Sequence, residues 1–207
     1  MTTSPATVGV SFDGFVTTGE AIALAQRAVE MGARSLWVAE HLGYREAIAS
    51  CVALAMKTSG ATLVPTAVSP YLWHPTPTAM AIATLDEVAP GRAAIAIGTG
   101  NPLFLQESGR AVGKPVRATR EFTEALRQLW AGEAVHVNGE FVKLAGPRLA
   151  FKPSAPIPST SPQSAPRCCG WQGESAMASC CRRDCRPSPC VNRLRFVPTV
   201  PPRKDAI

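Results

Sequence analysis

The sequence predicts an α/β fold built on a parallel sheet, and three observations carry that prediction. Short β-branched runs alternate with helical patterns up to about residue 132. The run Ala93-Ala-Ile-Ala-Ile97 is apolar on both faces, as strands buried between two layers are. Gly32, Gly60 and Gly91 fall where successive helical segments stop. Four βα units in series imply right-handed crossovers. Such units close either as a doubly wound sheet or as a (β/α)8 barrel, and eight of them need about 250 residues.

Taken in order, Val8 to Phe12 is the first strand. A helix follows over 19–32, with Thr18 as its cap and Ile22, Ala25 and Val29 at helical spacing. The second strand is Ser35 to Ala39, and a helix near 45–58 ends at Ser59-Gly60. The third strand, Thr62 to Val68, contains Pro65, which predicts an irregular strand end. A helix near 76–88 leads through Pro90-Gly91 to the fourth strand, 93–97. A long helix covers about 115–131, and Val135 to Val142 carries the Asn-Gly turn of a hairpin.

Composition divides the chain near Pro158. Residues 1–158 hold 13 basic and 12 acidic side chains, whereas 159–207 hold 8 and 3. The positive charge therefore belongs to the tail, and no nucleic-acid partner is expected of 1–158. The opening MTTSPATVGVSF has neither the basic nor the apolar part of a secretory signal. No run of about 18 apolar residues suggests a membrane span. A cytoplasmic, reducing location is expected, where clustered cysteines are not a disulfide frame.

The C-terminal ends of parallel strands carry the chemistry of such folds. The second strand ends in Glu40-His41, where an imidazole can give or take a proton near neutral pH. A loop histidine bonded to a neighbour is the plainer reading. The third strand ends in Ala67-Val-Ser-Pro-Tyr71 and runs to His74-Pro75, and its prolines hold the segment off a helix. It can set backbone groups against a ligand or serve as a structural loop. The fourth strand runs into Gly98-Thr-Gly-Asn-Pro102, whose glycines let backbone approach a phosphate or a flat ring. Leu103 breaks the pattern G-x-G-x-x-G, which disfavours a dinucleotide site of the Rossmann kind.

Together these segments are more specific. Trp37-Val-Ala-Glu-His41, Ser69-Pro-Tyr-Leu-Trp-His-Pro75, Ala83-Thr-Leu-Asp-Glu87 with Gly91-Arg92, and Ile95-Ala-Ile-Gly-Thr-Gly100 closely resemble the luciferase-like monooxygenase family. The Ser-Pro-Tyr-x-x-His-Pro stretch leans toward members that use the deazaflavin F420, such as methylenetetrahydromethanopterin reductase. The resemblance covers roughly 8–158 and extends through Gly132-Glu133 and Gly139-Glu-Phe141. It implies the first half (strands 1–4) of a (β/α)8 TIM barrel, with FMN or F420 and a small-molecule substrate at the strand ends. His41 would line the substrate or ring face as the catalytic residue. Thr66, Ala67, Val68 and Ser69 would form the irregular peptide that presses on the ring, in some members through a cis non-proline bond. Gly98, Thr99 and Gly100 would pass close to the cofactor, and no metal is expected. Leu85-Asp86 reads better as helix-end packing than as catalytic, and Arg92 as an ion-pair anchor.

After Pro158 the family pattern calls for a fifth strand, but the chain gives STSPQSAPRCCGWQGESAMASCCRRDC, with neither strand nor helix period. Codons displaced by one base from Pro158 onward can read V-Y-V-A-A-I-G-P-K-M-L-R-L-A-G-R-I-G-D-G-V-V-L-S-A-G-L. Two steps are forced by the genetic code: Trp171 before Gln172 yields alanine, and Met177 before Ala178 yields glycine. The expectation is one missing base (or two extra) near the Pro158 codon, with 159–207 an out-of-frame, disordered tail. The enzyme would then be truncated and inactive, with its first and fourth strands exposed as edges open to self-association. Rival readings are a half-barrel fragment that binds another chain, a zinc-binding tail and a basic tail touching nucleic acid. The zinc reading lacks both histidine and C-x2-C spacing.

Overall fold

A computed structural model describes residues 8–160. Five parallel strands form its spine. β1 (Gly9–Phe12), β2 (Ser35–Ala39) and β3 (Thr62–Thr66) pair in that order, with Gly9 opposite Ser35 and Ser35 opposite Thr62. β4 (Ile95–Ala96) continues the series through bridges from Leu63 to Ala93 and from Val68 to Ile97. Ile95 and Ala96 then pair in parallel with Ser159 and Thr160 of β7 (Ser159–Thr160). The fourth strand is therefore not the open edge expected from the sequence. Its Ile95 and Ile97 amides donate to Pro158 and Thr160 carbonyls, at 3.0 and 2.9 Å. Residues 161–207, including the cysteine cluster, lie outside the described residues.

Helices α1 (Thr18–Glu30), α2 (Ala47–Ala55), α3 (Pro75–Val88) and α5 (Pro115–Ala131) alternate with these strands, and α4 (Pro102–Glu107) is a short turn after β4. α1 starts one residue earlier than expected. Thr17 and Glu20 form a reciprocal capping box, which satisfies two free amides where Thr18 would satisfy none of that pair. α5 buries Ala118, Phe122, Ala125, Leu126 and Leu129, the i, i+3, i+4 stripe of its sequence. Trp130 adds a bond from its indole nitrogen to the Ala79 carbonyl of α3, at 3.1 Å. Burial of a ring such as Phe122 contributes about 2 kcal/mol. Gly132, at φ +80°, closes the helix.

The helices cover one face of the sheet, where Leu36, Val38, Leu63, Ile95 and Ile97 join the main core. On the other face Val64, Ala94 and Ala96 gather under Trp37. The expected hairpin is present but shifted. β5 (His136–Asn138) pairs antiparallel with β6 (Lys143–Ala145), so Asn138 is in a strand and 139–142 is the turn. The turn wraps a carboxylate: Glu121 of α5 accepts from the amides of Glu140, Phe141 and Val142. That anchor, rather than Asn-Gly, sets its length. Among the described residues no helix is long and apolar enough to cross a membrane.

Candidate functional site

The C-terminal strand ends converge on one rim. At β3 the peptide between Thr66 and Ala67 is cis, so the strand ends in the irregular segment that its sequence and Pro65 implied. The Thr66 carbonyl accepts from the Glu40 amide at 2.7 Å, which ties the end of β2 to this peptide. Val68 regains the ladder by donating to the Ala96 carbonyl, at 2.9 Å. Ser69, 1% exposed, donates its hydroxyl to the Thr99 carbonyl at 2.9 Å and accepts from the Tyr71 amide at 3.3 Å.

The glycines after β4 fit against that segment. A Cβ on Gly98 would stand 2.8 Å from the Ala67 Cβ, closer than side chains tolerate. Gly100 takes φ +86°, with Ser69 Oγ 3.3 Å from where its Cβ would be. The sequence-derived residues Ala67, Ser69, Gly98, Thr99 and Gly100 thus touch one another or nearly so, whereas Thr66 reaches them through the backbone.

His41 follows Glu40 beside the end of β3, in a collar of rings. Its centroid lies 4.8 Å from Phe15, on the loop after β1, and 6.2 Å from Phe104, in α4. Tyr44 packs edge-on to Phe15 at 4.6 Å. The His41 Nδ1 is buried without a hydrogen-bond partner. Beside it, burial pushes the Glu40 carboxyl up from the usual value. The Ala47 amide opposes that rise, nearby Glu46 adds to it, and the Trp73 side chain opposes it again.

Asp86 and Arg92 lie at the other end of the strands. Asp86 accepts from Gly91 N, Ser154 N and Ser154 Oγ at 2.9, 2.6 and 2.7 Å, which is the packing role expected of it. Arg92 anchors through the carbonyls of Ala61 and Thr58 and the Thr58 hydroxyl, not through an ion pair. Cys51 is buried in α2, and burial pushes its thiol up, away from nucleophilic use. Among the described residues no group of three His, Cys, Asp or Glu could hold a metal ion.

Phe15, Tyr44, Phe104 and the α4 turn were not found from sequence. Asn101-Pro102 was a readable start signal, since the Asn101 side chain accepts from Leu103 N at 2.9 Å and Pro102 takes the first helical position. The three rings carry no periodic signal.

The model of the luciferase-like monooxygenases matches residues 3–165. The chain belongs to this family. It is 37% identical over 131 residues to 5,10-methylenetetrahydromethanopterin reductase of Archaeoglobus fulgidus, a match covering 63% of this chain and 40% of that protein. It is 34% identical over 156 residues to F420-dependent glucose-6-phosphate dehydrogenase of Kineococcus radiotolerans, covering 68% and 45%. The chain thus spans less than half the length of these curated relatives.

Among solved folds, the coenzyme F420 dependent tetrahydromethanopterin reductase of Methanopyrus kandleri superposes with a TM-score of 0.72 at 24% identity, covering 76% of this chain and 50% of that one. The oxygenating constituent of 3,6-diketocamphane monooxygenase of Pseudomonas putida, solved with FMN, gives 0.65 at 21% identity, covering 75% and 51%. At these identities the likeness is one of fold: an α/β fold matching luciferase-like barrel enzymes.

Proposed function

We propose that residues 1–158 are the N-terminal half of a (β/α)8 barrel oxidoreductase that uses F420 or FMN, with F420 favoured by the relatives. The observation that carries this reading is the rim itself. Two glycines and small side chains line the ends of β3 and β4, and the His41 imidazole follows the neighbouring end of β2. Such a rim suits a flat ring, because backbone can approach it closely and no bulky group from β3 or β4 intervenes. F420 or FMN bound there would supply hydride or oxygen chemistry on its ring. Thr66, Ala67, Val68 and Ser69 hold the ring from the β3 side, and Gly98, Thr99 and Gly100 let the β4 backbone pass beside it. His41 orients a small-molecule substrate and holds or moves a proton on its imidazole.

The same proposal takes 159–207 as an out-of-frame segment. Ser159 and Thr160 stand where a fifth barrel strand begins, and the displaced codons continue that strand. A half barrel cannot enclose the ring from the side of strands five to eight, so the chain as it stands is expected to turn over no substrate. The setting is cytoplasmic. Sequencing the native coding DNA around Pro156–Ser159 tests the frame. A frame confirmed as given, with no family pattern in the displaced one, defeats it.

A second reading follows the strand order, in which β1 ends the described sheet: the half barrel associates with another chain. A defined dimer without flavin or deazaflavin absorbance supports that reading, and a monomer holding cofactor contradicts it.

A further inference from the structure

Phe15 is the ring of the collar that touches both His41 and Tyr44, and its backbone is tied through both its amide and its carbonyl. It is 53% exposed. Its amide donates to Asp13 Oδ1 at 3.1 Å, closing a tight local turn. Arg45 Nη1 donates to the carbonyls of both Gly14 and Phe15, at 3.2 Å each. A Cβ on Gly14 would lie 3.1 Å from Tyr44 Cβ, so the loop after β1 is seated directly on the 44–45 segment.

A large ring left in water gains little for stability, and pinning it costs conformational freedom. What this ring covers is one side of an imidazole whose Nδ1 has no partner. We propose that Phe15 is a specificity-determining residue. It is a wall on which a substrate lays a planar or apolar group while the substrate's hydroxyl or carbonyl bonds the half-buried His41 imidazole. Arg45 is the positioning residue that holds this wall. The substrate class is a small alcohol or carbonyl compound bearing a ring or a compact apolar group, not a purely polar one. The inference rests on the reading of the rim as a substrate and cofactor site.

The test uses the full chain with its three histidines isotopically labelled. His74 and His136 are exposed and serve as internal references. Benzyl alcohol is the probe, and magnetic resonance reads the imidazole signals. The expected result is a saturable shift of His41 alone. Phe15→Ala weakens it about tenfold, the loss of one aromatic contact. Arg45→Ala weakens it severalfold, and Arg45→Lys recovers part of the loss.

Should Phe15→Ala unfold, Phe15→Leu decides, with a threefold or greater weakening expected. A His41 signal unmoved at saturating benzyl alcohol overturns the proposal, as does unchanged affinity in the folded Phe15 variant. The cofactor reading is tested apart from this, by titrating F420 and FMN into the chain with its frame restored. No cofactor there, with His41 still moved by benzyl alcohol, overturns that reading and leaves the wall standing. Cofactor bound there, with His41 unmoved, overturns the wall alone.

Discussion

The two ends of the parallel sheet are built to opposite rules. At the N-terminal ends of the strands, buried polar groups are saturated. Asp86, 1% exposed, accepts three hydrogen bonds, and the Arg92 guanidinium donates three to the segment before β3. At the C-terminal ends the His41 Nδ1 is buried without a partner, and Gly98 stands where a Cβ would collide with Ala67. The lower end ties the layers together.

Substitutions can break or sharpen that contrast. The largest effect is expected from Asp86→Ala, which removes the three hydrogen bonds made by a buried carboxylate and costs about 3 kcal/mol in urea unfolding. A cost under about 1 kcal/mol would mean that the lower end is not the anchor. Gly98→Ala comes next, at about 2 kcal/mol, because the new methyl must displace Ala67. If it were neutral, the strand ends would not be in close contact. Ser69→Ala removes the bond to Thr99 O and should cost about 1 kcal/mol by the same measurement. His41→Ala should be smallest, within about 1 kcal/mol, since no hydrogen bond to Nδ1 is lost. A large loss there would make His41 structural and remove the contrast between the two ends.

Acid supplies a control that touches neither end. Burial pushes the Glu121 carboxyl up. The amides of Phe141, Val142 and Glu140 and the Arg117 guanidinium outweigh that push, lowering it from 4.5 to about 2. A carboxyl lowered on folding adds stability above its unfolded value. That contribution is lost as pH falls from about 4.5 toward 2. Urea midpoints measured down this range should fall in the wild-type chain and fall less in Glu121→Gln. Equal slopes would show that the carboxylate does not anchor the hairpin.

How much of this was legible depended on whether a feature is periodic or relational. α5 could be read to its ends, because Phe122, Leu126 and Leu129 repeat at helical spacing and Gly132 stops them. β2 was legible at both ends for its compact apolar run, Ser35 to Ala39. The segments at the ends of β3 and β4 were legible from their prolines and glycines, whereas no periodicity marks a cis bond or a close approach of backbones. The hairpin turn was misplaced because Glu121, distant in sequence, fixes it. Phe15, Tyr44 and Phe104 escaped notice because they come from two loops and the short helix α4 and meet only in the folded chain. The pairing of β4 with Ser159 and Thr160 was missed because the composition changes at that very point, which hid two residues that still fit the sheet.

The central claim is that residues 1–158 specify half of an F420 or FMN site whose other half is written in the displaced frame. It is tested most directly by inserting one base at the Pro158 codon and titrating F420 and FMN into the purified product beside the chain as it stands. The account predicts saturable binding of one cofactor per restored chain, and none at that ratio by the unrestored one. A restored product that folds but binds neither cofactor, or an unrestored chain that binds one stoichiometrically, would contradict it.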